Sequence, residues 1–156
     1  MPVLLVQSCS ASKQQCSVPV PALELYDGYF YKIINKSRRE GVFRDDIILR
    51  ILSAEHGLLR PESKIAYYDR RMTPDRASEL RDSVLDNIAK TVAEEEIDTV
   101  VINAGADYRL ALSGLETMLN DGVQIKYITG RGNGEMGSQL KSFIRCREDT
   151  EMQAKI

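Results

Sequence analysis

Four short apolar runs, at residues 3–6, 47–52, 99–102 and 125–128, punctuate the chain, and each gives way at once to a small or polar cluster. The clusters occupy residues 7–13, 53–57, 103–105 and 129–134. Between the runs, apolar residues recur at helical spacing. Residues 21–39 carry Leu23, Tyr26, Phe30, Ile33 and Ile34 on one face with Tyr29 and Tyr31 beside it, and Gly41 follows as a stop signal. Thr73 and Pro74 open the clearest helix, the threonine suited to cap it and the proline to its first position. Its stripe of Ala77, Leu80, Val84, Leu85, Ile88, Ala89 and Val92 is about 100° wide. Asp107 is positioned to cap a helix bearing Leu110, Leu115, Met118 and Leu119, and residues 136–146 form a last one with Leu140, Phe143 and Ile144 inward.

The alternation predicts βαβαβαβα: an α/β fold, a single-domain three-layer sandwich around a central four-stranded parallel sheet. The domain spans residues 3–146, and a polar tail occupies residues 147–156. The second run, broken only by Arg50, reads as a central strand covered on both faces. If the strands are parallel, all four polar clusters emerge at one sheet edge, where open α/β folds place ligands. Residues 57–72 show no clean period, and a loop of that length inside a compact domain is usually functional.

Composition narrows the classes. Apolar residues make up 43% and charged residues 28%, with a formal net charge of −2, so nucleic acid would be held by a local patch and not by bulk charge. Three cysteines, Cys9, Cys16 and Cys146, support neither a disulfide framework nor a zinc site and fit a reducing cytoplasm. The apolar start lacks a basic n-region, and no run approaches the roughly 20 residues of a membrane span. The expectation is a cytoplasmic protein without a membrane partner; the oligomeric state is left open.

The clusters supply the candidate chemistry. Ser8, Cys9, Ser10 and Lys13 offer hydroxyls, a thiol and an ammonium beside a strand end, suited to a base edge or a phosphate, or simply to a polar turn. No Walker spacing is present. Cys9 reads as packing or ligand contact ahead of a covalent nucleophile. His56, the one histidine, follows Ser53 and is either an acid or base or a residue bonded to a loop carbonyl; alone it makes no metal site. Tyr67 and Tyr68 are placed to stack on a base and Asp69 to orient water or stabilise a positive sugar, the alternative being a hydrophobic plug with a turn aspartate. Asn103 and Gly105, with Tyr108 nearby, form a strand-to-helix junction that either reads a base and attracts an anion or serves tight packing. Gly130, Arg131, Gly132 and Gly134, with Gln139 on the following helix, suit a phosphodiester or ribose. Their spacing is not that of a dinucleotide fold, so no cofactor is expected.

The segments S-C-S-x-x-K at residues 8–13, P-A-x-x-L-Y ending at Tyr26, L-S-A-x-H-G-L-L at 52–59, Y-Y-D at 67–69, A-G-x-x-Y at 104–108 and G-x-x-G-x-Q-L at 134–140 stand in register. Together they resemble a group of small bacterial and phage α/β proteins related in fold to the uracil-DNA glycosylase-like superfamily, which includes the YaaA-type peroxide-stress proteins. The resemblance implies a four-stranded parallel sheet with a nucleobase or nucleic-acid pocket at its C-terminal edge. The superfamily's G-x-D-P-Y and H-P-S motifs are absent, so no catalytic role carries over directly.

The resulting expectation is a DNA N-glycosylase-like protein that excises a base, modified ones included, and leaves an abasic site, a role that would suit anti-phage defence. Asp69 or Asn103 would serve the water or the sugar and His56 the leaving base. Ser8, Cys9, Ser10, Lys13, Tyr26, Ser53, Tyr68, Gly105 and Tyr108 would contact substrate, and Lys13, Gly130, Arg131, Gly132, Gly134 and Gln139 its phosphates. The alternatives are a non-catalytic DNA-binding stress protein and an enzyme acting on free nucleosides or nucleotides.

Overall fold

The structure, a computed structural model, describes residues 2–145; Cys146 and the expected tail lie outside the described residues. The elements in chain order are β1 (Val3–Ser8), β2 (Val20–Pro21), α1 (Ala22–Leu25), α2 (Tyr29–Arg39), β3 (Ile47–Ser53), β4 (Gly57–Leu59) and β5 (Lys64–Ile65). They continue with α3 (Pro74–Glu94), β6 (Thr99–Asn103), α4 (Ala106–Leu110), α5 (Leu115–Met118), β7 (Gln124–Tyr127) and α6 (Asn133–Ile144).

The fold is α/β, and its main sheet differs from the expected four parallel strands by one: five strands run in the order β4-β3-β1-β6-β7. β3, β1, β6 and β7 are parallel, and β4 is antiparallel against β3. The extra strand comes from the unpatterned stretch after His56. Gly57 takes φ +76°, which turns the chain back so that Leu58 and Leu59 pair with Leu52 and Ile51. A run of three residues is too short to show a period. Farther on, Lys64 and Ile65 pair with Val20 and Pro21, so the long loop is a tied-down flap.

Strand alternation distributes the core over two faces. Leu4 and Val6 of β1, with Val100 and Ile102 of β6, pack under α3, α4 and α5 against Val84, Ile88 and Leu115. Val3 and Leu5, with Ile47, Leu49, Ile51 and Val101, pack under α1, α2 and α6 against Leu25, Ile34, Leu140 and Ile144. The expected first helix is broken: α1 ends at Leu25, Tyr26 and Asp27 are non-helical, and Gly28 caps α2. Tyr31, expected beside the apolar face, is fully inside it. Thr73 caps α3 as expected, accepting from the Arg76 N–H at 3.1 Å, but Gly105 stands at the cap of α4 where Asp107 was expected. Leu110 and Met118, expected on one helix, fall on two and are exposed, because α4 and α5 are single turns separated by Gly114 at φ +91°. No helix among the described residues is long and apolar enough to cross a membrane.

Candidate functional site

Because four strands are parallel, Ser8, Ser53, Asn103 and Tyr127 all end at one edge of the sheet. The chain passes from β1 outward to β3, then crosses to β6 on the other side of β1 and continues to β7. The direction of winding reverses between β1 and β6, so the loops leaving those strands diverge and open a crevice. It encloses about 460 Å³, in the range of small-molecule sites. Cys9, Ser10, Ala11 and Lys13 line one wall, Gly105, Ala106, Asp107 and Tyr108 the other, and Asp69, Arg70, Arg71 and Met72 close it from the segment ahead of α3.

Beneath the crevice lies a buried polar layer. Asn103, 1% exposed, donates its side-chain amide to Gln7 Oε1 at 2.9 Å, joining β6 to β1. The pair satisfies two buried groups that would otherwise be costly. Next to it stand four tyrosines and a thiol. Ser53 Oγ accepts the Glu55 and His56 N–H groups at 3.1 Å each, which uses both its lone pairs. Its own proton therefore goes to Tyr68 Oη at 2.9 Å, and Tyr68 in turn donates to Tyr26 Oη at 2.6 Å. Tyr108 Oη and Cys9 Sγ lie 3.0 Å apart, and Tyr31 donates to the Ser8 carbonyl at 2.9 Å.

Burial holds all four phenols neutral. It pushes Tyr26 up to about 12 and raises Tyr31, Tyr68 and Tyr108 well above the ordinary tyrosine value, with the neighbouring Cys9 as a further cause. At neutral pH Tyr108, the phenol on the crevice wall, is therefore a hydroxyl and not a phenolate.

Charge gathers at the mouth. Lys13 Nζ stands 4.7 Å from the centre of the Tyr68 ring and donates to the Ala11 carbonyl at 3.2 Å. Arg70 reaches Glu55 at 3.2 Å, and Arg71 projects into the crevice from the next position. Three cations thus face two carboxylates, Asp69 and Asp107, across a space sized for a ligand. Among the described residues no group of three or more His, Cys, Asp or Glu side chains is placed to hold a metal ion.

Of the residues singled out in the sequence, Cys9, Ser10, Lys13, Asp69, Gly105 and Tyr108 line the crevice together. Tyr26, Ser53 and Tyr68 form the hydroxyl chain behind it, and Ser8 contributes its carbonyl to Tyr31. His56 is exposed and edge-on to Tyr68, with 5.5 Å between ring centres, outside the crevice wall. Asn103 lies below the floor. The glycine-rich loop does not line the crevice either. Gln139 Oε1 accepts the Thr129 N–H at 2.7 Å, capping its own loop, and Gly130 is pressed against Glu135 and Met136 of α6. Gly132 caps α6, with Arg131 and Gly134 exposed beside it. Sequence reasoning missed Arg70, Arg71 and Asp107 as crevice residues. Their signal was present in the clustered charge of residues 69–71 and in an aspartate just beyond a strand end.

Fold and crevice together define an open α/β protein with a ligand-sized site at its topological switch point. More narrowly, the chain belongs to a family of unknown function, DUF6884, whose model matches residues 3–143. In fold it is similar to the crystal structure of AF0587, described as a protein of unknown function, with a TM-score of 0.57 and 13% identity. That similarity covers 93% of this chain and 45% of the AF0587 chain, so this chain spans less than half of that protein's length. No curated protein matches the chain.

Proposed function

We propose that the crevice binds a nucleotide flipped out of DNA and hydrolyses its N-glycosidic bond, within a uracil-DNA glycosylase-like fold. The observation that carries this reading is the division of the crevice into a cationic mouth, with Lys13, Arg70 and Arg71, and a neutral donor wall around Tyr108 and Cys9. Cations suit the flanking phosphates, and neutral hydroxyls suit the acceptor edge of a base. In the reaction the bond from C1′ to the base nitrogen breaks, water supplies a hydroxyl to C1′, and the water's second proton ends on the departing base. Asp69, exposed to the crevice, is placed to orient that water and to stabilise positive charge on the sugar. Tyr108, neutral and at the wall, takes the donor role toward the base in place of His56, which does not line the crevice. Asn103 acts as a positioning residue through Gln7.

The test is to incubate the protein with DNAs carrying natural and hypermodified bases, treat them with alkali and look for strand breaks. Breaks on at least one substrate, lost in Asp69→Asn, are expected. Binding without breaks on any of them would favour a non-catalytic DNA binder, and turnover of free nucleosides alone would move the activity to small molecules.

A further inference from the structure

A second concavity lies outside the crevice. A groove of about 410 Å³ runs between α2 and α6, with Lys32, Lys36, Lys141 and Arg145 on its walls and Tyr29 and Gly137 among its lining residues. The helix α2 bears Lys32, Lys36, Arg38 and Arg39 and no acidic residue. Glu40, just past its end, pairs with Arg145 at 2.7 Å, and that hydrogen bond, with the charges of Arg145, Lys36 and Lys141, holds its carboxyl below the ordinary value. Among the described residues, four cations against one carboxylate leave the groove with an excess of three. Lys32, Lys36 and Lys141 are exposed and form no ion pair among the described residues. Another basic hollow, between β4 and α3, has no such excess: Arg50, Arg60 and Lys90 are offset by Glu94, with Glu62 and Glu95 near Arg50.

Within the groove the Tyr29 ring of α2 lies against α6 at Gly137. A Cβ at Gly137 would stand 2.6 Å from Cε2 of Tyr29, so a larger residue there would displace that ring. The start of α2 is tied to the crevice rim. The Gly28 N–H, at the start of α2, donates to Ser10 Oγ at 3.2 Å, and Ser10 lines the crevice. A polymer with one unit in the crevice therefore meets cations as it continues along α2. A lipid surface fits less well, because it needs a protruding apolar face. Among the described residues, the one large exposed hydrophobic side chain on the groove is Tyr29.

We infer that the α2–α6 groove, through Lys32, Lys36 and Lys141, binds the sugar-phosphate backbone of duplex DNA adjoining the nucleotide in the crevice. This rests on the nucleic-acid reading of the crevice given above, not on its hydrolytic step.

The experiment titrates the full chain against a short fluorescein-labelled duplex at several salt concentrations. Each lysine–phosphate contact contributes roughly 0.9 to the slope of log affinity against log salt, so Lys32→Ala/Lys36→Ala/Lys141→Ala should flatten it by about 2.7. Lys90→Ala, in the balanced hollow, should leave it unchanged, and circular dichroism checks that each variant folds. An unaltered slope in the triple variant overturns the inference, as does a wild-type protein that ignores duplex DNA or binds anionic lipid vesicles instead. Strand breaks in a single-stranded oligonucleotide too short to reach the groove report on the crevice alone. No breaks with a flattened slope sinks the glycosylase reading and keeps the groove; breaks with an unaltered slope does the reverse.

Discussion

Tyr26 and Asn103 show how single residues beneath the crevice set its chemistry. Tyr26, 1% exposed, has its ionisation pushed from the ordinary 10.0 up to about 12, first by burial. Below pH 10 both the folded and unfolded chains keep that proton, so the contribution of Tyr26 to stability is fully present there. Above 10 the unfolded chain releases the proton while the fold retains it, and stability falls as pH climbs toward about 12. Denaturant midpoints should therefore drop over that interval, and drop less steeply in Tyr26→Phe. If absorbance showed the buried tyrosines ionising near pH 10 in the native protein, this account would be lost. For Asn103 the sequence suggested chemistry; burial and the bond to Gln7 make it a stability residue as well. Asn103→Ala strands the Gln7 carbonyl in a buried site and should cost about 1–3 kcal/mol by equilibrium unfolding. A variant as stable as the wild type would show that the bond contributes nothing to the fold.

At the scale of elements, what was legible depended on length and period. The strands β1, β3 and β6 could be read because β-branched and leucine residues fill most of each, Arg50 apart, and small residues follow each one. The helix α3 could be read for a similar reason: 21 residues repeat one stripe, behind a threonine and a proline. What escaped was short or set by tertiary pairing. β4 is three residues long and exists because Gly57 turns back onto β3. β2 and β5 are two residues each and hold together through Val20 and Ile65, which lie far apart in sequence. The break between α1 and α2 was signalled by Asp27 and Gly28, but the apolar spacing continues across it through Tyr26 and Phe30 and masked the interruption. The glycine-rich loop misled in the other direction. Its small residues looked made for a ligand, whereas Gly130 lies flat on Met136 and Gly137 makes room for Tyr29. Glycine marks close approach, and sequence alone does not say whether the approaching group is ligand or protein.

At the scale of the whole molecule, the crevice exists because the strand order brings together segments 9–13, 69–72 and 105–108, which share no local signal. That assembly separates roles that looked interchangeable along the chain. Lys13 and Arg131 both follow strands and both looked like phosphate ligands, but only Lys13 lines the crevice. If the crevice holds the nucleotide, Lys13→Ala removes a charged contact worth about 1.5–3 kcal/mol of binding, raising KM roughly 10- to 100-fold with kcat little changed. Arg131→Ala should shift KM by no more than about twofold, because an exposed cation outside the site contributes through screened charge alone. Asp69→Asn, which keeps the shape and removes the carboxylate, should lower kcat by about 10²- to 10⁴-fold with KM nearly intact. Steady-state kinetics on any DNA substrate that yields abasic sites separates the three. Equal losses in Lys13→Ala and Arg131→Ala would mean that the glycine-rich loop folds onto the substrate during turnover, so that the open edge of the sheet, and not the switch point alone, forms the site.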